Sequence, residues 1–394
     1  MRTAMLDIAE QLHRWCEEGR DFAVATVVST SGSAPRQPGA ALAVDMDGTA
    51  VGSVSGGCVE GAVYELCQEV LETGEILSRR FGYSDDDAFA TGLTCGGTVE
   101  VAIVPVRVGD PGRPVLAAAL AAAARAEAVA LAQVVEGPPE LLGRALCVRA
   151  DGTHSGSLAG TAGGGSAAAG GGPLDRTAAA EARALLQAGS TGTVVIGAEG
   201  SRCGVPLALF VESSTPPPRM IIFGAIDFAA ALAEAGRFLG HHVTVCDARP
   251  VFATPERFPS ADEVVVDWPH RYLDAQRLDG RAVLCVLTHD AKFDVPLLQR
   301  ALRLPVAYVG AMGSRRTHLD RLDRLRAVGL TEAELGRLRS PIGLDLGART
   351  PQETALSIAA EIVACRRGGS GVPLTGGHTP IHRPAPVLSG SPAG

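Results

Sequence analysis

Nowhere in the 394 residues do two cysteines stand at C-x-x-C spacing; the nine fall at 16, 58, 67, 95, 147, 203, 246, 285 and 365. An odd count without close pairs argues against a disulfide framework and a zinc knuckle, and makes a reducing cytoplasm the expected location. No apolar run reaches the roughly 18–20 residues of a membrane span, so no membrane partner is expected. The opening segment, MRTAMLDIAEQLHRWCEEG, is charged throughout and reads as an amphipathic helix rather than a signal peptide. Positive charge is in short supply: 35 Lys and Arg against 43 Asp and Glu leave a net charge of −8, which argues against a nucleic-acid partner. Aromatics make up only 4% of the chain while glycines number 48, a balance suited to tight-turned α/β domains rather than stacking platforms.

What is present is globular, with 46% hydrophobic and 20% charged residues, and it is too long for one ordinary domain. The proline-rich stretch SSTPPP at 213–218 reads as a linker. It separates an N-terminal domain, 1–212, from a C-terminal domain, 219–367, and a Gly/Pro-rich tail over 368–394 is expected to be mobile.

The N-terminal domain contains an internal repeat, 23–106 and 128–212. AVATVVSTSGSAPRQPGAALAVDMDGTAVGSVSG and AVALAQVVEGPPELLGRALCVRADGTHSGSLAG share one pattern: an apolar strand, a turn, a second strand, an Asp-Gly hairpin signal and a short strand. A helix and a Cys-Gly strand, LTCGGTVEVAIVPV or SRCGVPLALFVE, complete each copy. The pattern predicts a duplicated ββ-β-α-β unit, a mixed α/β domain whose two sheets share one core. In the second copy a poly-Ala/Gly loop at 161–172 replaces SGGC, so the first copy is expected to carry the chemistry. The C-terminal domain alternates apolar strands with helices from RMIIFG at 219–224 to PVAYVG at 305–310, which predicts a Rossmann-like, doubly wound parallel sheet.

Several segments could carry chemistry. Ser55-Gly56-Gly57-Cys58-Val59-Glu60 runs into a helix; paired glycines leave backbone open to a ligand, and a cysteine at a helix N-terminus is favoured as thiolate. Cys58 is thus a candidate nucleophile or soft metal ligand, against a buried structural thiol. Cys95-Gly96-Gly97 repeats the theme with Cys95 as a second candidate, and Arg36 is a candidate anion contact or else a surface arginine. In the C-terminal domain Gly224 opens the first βα turn and Asp247 closes the second strand, the places of a dinucleotide fingerprint. Yet Ile226 replaces the second motif glycine, and Asp227 sets a negative charge where a phosphate would approach. NAD(P) binding is therefore doubtful, and a structural or repurposed crevice is favoured. His289 and Asp290 fall at a strand's carboxyl end; Ser314, Arg315 and Arg316 open a helix as either an anion site or a plain cap; Asp345 sits in a glycine-flanked turn.

With GSAPRQPGA, GSVSGGCVEGAV, LTCGG, FATPERFPSADEV, VLTHDAKFD, YVGAMGSRR and PIGLDLGARTPQETALSIAAEI in order, the chain resembles the XdhC/CoxI family of xanthine dehydrogenase accessory proteins over about 8–367. GAIDFA at 224–229 departs from that family's usual GAGHVA. The resemblance implies a chaperone that binds molybdenum cofactor (molybdopterin) transiently and helps its sulfuration and insertion into a molybdenum hydroxylase, without catalysis of its own. Implied partners are the hydroxylase subunit, a cysteine desulfurase and a second copy of the chain. A cleft between the SGGC loop and the strand ends near His289 and Arg315 is the expected cargo site. The alternatives are an NAD(P)-linked oxidoreductase acting through the C-terminal domain, and a structural or regulatory module with buried thiols.

Overall fold

The computed structural model describes residues 4–32, 36–82, 97–159, 171–201 and 204–375. Cys95, Gly96, Cys203, most of the 161–172 loop and the tail from 376 lie outside the described residues. Contacts cluster into two units, Met1–Pro216 and Pro217–Gly394.

The first unit opens with a helical turn, Met5–Ile8, and α1, Ala9–Glu17. The first copy follows as β1 Phe22–Ser31, β2 Ala41–Asp45, β3 Ala50–Gly52, α2 Glu60–Thr73, β4 Leu77–Phe81 and β5 Thr98–Val106. Helix α3, Arg113–Ala124, leads to the second: β6 Val129–Glu136, β7 Ala145–Arg149, β8 His154–Gly156, α4 Pro173–Ala188, β9 Gly192–Gly197 and β10 Pro206–Ser214. The sheets have matching orders, β3-β2-β1-β5-β4 and β8-β7-β6-β10-β9, with antiparallel pairing between neighbours. Each copy therefore has one strand more than the pattern predicts. LSRRF in β4 exposes its three central residues, and Gly192–Gly197 alternates, so neither stands out as an apolar run.

One glycine marks the duplication at atomic level. Gly52 and Gly156 both take φ +95°, and a side-chain carbon on either would meet a backbone carbonyl oxygen, of Ala41 and Ala145 respectively. Only glycine closes this edge strand in either copy.

Strand β1 is buried on both faces, and alternation divides its residues between two layers. Phe22 and Val24 join Leu12 and Trp15 of α1, Leu116 and Leu120 of α3, and Val129, Leu131 and Cys147 of the second sheet in one core. Ala23, Ala25 and Val27 face Val63, Cys67 and Val70 of α2 in another. The second sheet has its own counterpart with α4. The sheets do share a core, and each adds an outer one. Small residues on β1 let helix layers approach from both sides.

The second unit contains β11 Arg219–Phe223, α5 Asp227–Phe238, β12 His242–Asp247, β13 Glu263–Val266, α6 Pro269–Asp274, β14 Val283–Val286, α7 Ala291–Ala301, β15 Tyr308–Ala311, α8 Arg315–Ala327, α9 Glu332–Leu335, β16 Leu338–Arg339 and α10 Pro351–Arg367. Its six strands are parallel in the order β13-β12-β11-β14-β15-β16. Residues such as Ile221, Leu284 and Leu298 fill one face of the sheet, and Ile222, Leu232 and Ile358 the other. The two-residue β16 and the short α6 and α9 are absent from the sequence reading, being too brief to carry a period.

Candidate functional site

In the first copy, strand direction gathers the candidates at one end of the sheet. β1 ends, β2 begins, β3 ends and β5 begins there, so the loop holding Arg36, the SGGC loop and Gly97 share that end. Arg36 reaches the SGGC loop: a side-chain carbon built on Gly56 would stand 3.9 Å from a guanidinium nitrogen of Arg36. Gly56 and Gly57 take φ +86° and +122°, backbone that L side chains rarely adopt, which accounts for the glycine pair. Gly97 is buried just before β5.

The loop is closed on itself. The Glu60 carboxylate accepts the backbone N–H of Ser55 at 2.8 Å, of Gly56 at 2.7 Å and of Gly57 at 2.7 Å. It also accepts both serine hydroxyls, Ser53 Oγ at 2.7 Å and Ser55 Oγ. Ser55 Oγ in turn accepts the N–H groups of Cys58 and Val59, each at 3.0 Å. Burial pushes the Glu60 carboxyl up, but the hydrogen bonds from Ser55, Ser53 and the backbone outweigh it and hold the group at about 2.

Two expectations are corrected here. The glycine N–H groups do not stand open to a ligand, because Glu60 already fills the turn they form. Cys58 does not open the helix: α2 starts at Glu60 with Val59 as its cap, so the first turn belongs to the Glu60 carboxylate. Cys58 remains a half-buried thiol outside any disulfide. Among the described residues no three His, Cys, Asp or Glu side chains converge to hold a metal ion. As a metal contact, then, Cys58 would be a single soft donor, which suits a metal arriving with its own ligands.

The second copy retains part of this closure. Asp175, buried in the first turn of α4, accepts Ser157 Oγ at 2.8 Å and the N–H of Leu158 at 2.7 Å. Gly52-Ser53-Val54 and Gly156-Ser157-Leu158 are matching segments, with Val54 and Leu158 both fully buried.

In the second unit the carboxyl edge of the parallel sheet collects Gly224, Asp247, His289, Asp290 and Ser314–Arg316, since β12, β11, β14 and β15 are neighbours that end together. Gly224 has φ +113°, and a side chain there would press on Leu287 and Thr288. Asp247 is not available to a ribose in this arrangement. It accepts Ala225 N–H at 2.7 Å and Arg249 N–H at 2.9 Å, and Arg249 forks onto it at 3.0 and 2.8 Å. Burial raises its carboxyl, and the bonds from Arg249 and Ala225 bring it below the usual range. Ile226 packs half-buried against the core of α5. Asp227 is not a bare charge, since Arg257 Nη2 lies 3.4 Å away.

Asp290 caps α7 by accepting Lys292 N–H at 3.0 Å, and Ser314 caps α8 by accepting Thr317 N–H at 3.1 Å. Arg315 and Arg316 are exposed, with no carboxylate in ion-pair range among the described residues. Asp345 lies exposed in the loop between β16 and α10.

A buried pair that sequence reasoning missed supports these loops. Arg321 of α8 and Asp294 of α7, both nearly inaccessible, meet at 3.0 Å. Arg321 also donates to Ser340 Oγ at 3.0 Å and Met312 O at 2.8 Å, while Thr288 donates its hydroxyl to Asp294. Burial pushes the Asp294 carboxyl up, opposed by Thr288 and Arg321. The helix RRTHLDRLDRLRA offers no pattern that distinguishes Arg321 from its exposed neighbours.

Comparison with known proteins agrees with both units. Residues 220–362 match the XdhC Rossmann domain, and residues 15–82 and 122–197 match the XdhC and CoxI family. The uncharacterized protein YqeB of Escherichia coli K12 is 30% identical over 244 residues, 61% of this chain; the match spans only 44% of that longer protein. A Bacillus subtilis 168 protein, described as a probable xanthine dehydrogenase subunit, is 25% identical over 89% of this chain and 95% of its own length. The molybdenum cofactor insertion chaperone PaoD of Escherichia coli K12 is 25% identical over 88% of this chain and 84% of its own. A solved structure, described as a xanthine dehydrogenase from Bacillus halodurans, shares the fold with TM-score 0.62 and 23% identity, covering 93% of this chain and 96% of that one. With its duplicated sheets matching one profile and its parallel sheet the other, the chain belongs to the XdhC and CoxI family.

Proposed function

We propose that this chain is an accessory protein that takes up molybdenum cofactor, supports its terminal sulfuration and delivers it to a molybdenum hydroxylase of the xanthine dehydrogenase type. The observation that carries the reading is the meeting of Arg36 with the loop that presents Cys58, in a chain related along most of its length to a cofactor insertion chaperone. The cofactor is cargo, and its chemistry suits these residues. A soft metal held by a dithiolene brings most of its own ligands and accepts one thiolate, and an anionic group on the cofactor finds a guanidinium at Arg36. The glycine backbone contributes shape and close approach rather than N–H donors, since Glu60 occupies those. Cys95 and Gly96 belong to this proposal by sequence position. A cysteine desulfurase is the expected sulfur source, and the hydroxylase subunit the expected recipient.

The test is reconstitution of a cofactor-free hydroxylase with cofactor in the presence of this chain. The wild-type protein accelerates recovery of hydroxylase activity, whereas Cys58→Ser and Arg36→Ala do not. Recovery at the same rate with wild type, either variant or no added chain would overturn the proposal.

A further inference from the structure

We infer that Glu60 is a positioning residue: its carboxylate fills the turn formed by residues 53–57 and so fixes where Cys58 stands. The inference rests on the proposed role of Cys58 for its functional meaning, though not for its geometry.

Five donors converge on one side chain. Three are successive backbone N–H groups, Ser55, Gly56 and Gly57, and two are hydroxyls, Ser53 and Ser55. Such a row of N–H groups ordinarily receives a ligand's anion; here the anion is part of the chain. Ser55 then transmits the constraint. Its hydroxyl donates to Glu60 and accepts from Cys58 and Val59 N–H, so the cysteine backbone is tied to the carboxylate through one intervening oxygen. The glycines are needed because the turn requires positive φ, but glycines alone would leave it free to open.

The second copy supplies an internal comparison. Asp175 does the part of this work that the fold demands, holding Ser157 and Leu158 where the short strand meets the helix. In the first copy Glu60 adds bonds to a glycine pair and, through Ser55, to Cys58; residues 160–170 of the second copy lie outside the described residues. The acidic side chain in the first copy is one methylene longer. Both copies thus tie an acidic side chain to the serine that follows the short strand, and Glu60 adds the bonds to Ser55, Gly56 and Gly57 that shape the SGGC loop.

The experiment measures alkylation of Cys58 by iodoacetamide in the full-length chain, with labelled peptides quantified by mass spectrometry. Cys67, wholly buried on α2, reports unfolding. Glu60→Gln puts an amide N–H₂ against N–H donors, and Ser55→Ala removes only the bridging hydroxyl. The expected result is that both change the Cys58 rate about tenfold or more while Cys67 stays protected, and that Glu60→Asp restores part of the wild-type rate. Asp175→Asn leaves the Cys58 rate at the wild-type value. If Glu60→Gln exposes Cys67, Ser55→Ala decides. An unchanged Cys58 rate in the folded variants overturns the inference. Pterin content of the same preparations separates the two claims: an altered Cys58 rate with undiminished pterin content leaves Glu60 as the positioning residue and removes Cys58 from cargo binding.

Discussion

Glu212 should make the first unit less stable as pH rises through neutrality. The residue sits on β10, 1% exposed, and accepts the N–H of Leu6 at 2.5 Å, which docks the N-terminal turn. Its other carboxylate oxygen is buried with no partner among the described residues. Burial pushes the carboxyl from its ordinary 4.5 up to about 8, with the Leu6 bond opposing and Asp7 assisting. The unfolded chain loses this proton near 4.5 while the native chain keeps it until about 8. Across that window each pH unit costs the native state about 1.4 kcal/mol, so roughly 3 kcal/mol has gone by neutral pH and no more is lost above the native value. Glu212→Gln keeps an oxygen for Leu6 and cannot ionise. Urea unfolding between pH 5 and 8, followed by fluorescence of the buried Trp15 in a Trp268→Phe background, compares the two proteins so that other titrating groups cancel. The variant should gain on the parent by a few kcal/mol across this range. A gap that does not change with pH would refute the argument.

Arg321→Met should cost about 3–5 kcal/mol, because it strands Asp294 in the interior; an unchanged thermal melt would contradict the buried pair. Arg315→Ala and Arg316→Ala should each weaken binding of a phosphate-bearing ligand by about 1.5–3 kcal/mol in calorimetry, and equal affinities would make both arginines plain surface residues. Wild-type protein should bind NADH only weakly, and Ile226→Gly should improve binding by letting backbone near a pyrophosphate; micromolar affinity in the unaltered chain would contradict this.

How far the sequence could be read depended on whether an element carried a period. The duplication was legible because apolar strands, Asp-Gly turns and helices recur in order. β4 and β16 were not, one being polar along its middle and the other two residues long. Arg36 and the SGGC loop were legible as motifs, and the sheet's strand directions bring them together. Glu60 was passed over. Its signal was nevertheless present, as an acidic residue opening an apolar helix directly after a glycine turn, with Asp175 in a comparable place. What sequence could not supply was the direction of that carboxylate, back into the turn rather than out to a ligand. Arg321 and Asp294 illustrate the same limit: a buried ion pair is a property of two helix faces meeting, and neither face announces it.

The proposed function depends on the SGGC end of the first sheet holding molybdenum cofactor through Cys58. Molybdenum and oxidised pterin per chain, measured after purification from a molybdate-fed host, address this for wild type, Cys58→Ser and Cys147→Ser. Cys147 lies buried in the core shared by the two sheets and serves as the control. Cys58→Ser should keep stability within about 1 kcal/mol. Wild type and Cys147→Ser should carry pterin and molybdenum together, and Cys58→Ser should have lost most of both; equal loading of a folded Cys58→Ser protein would contradict the proposal.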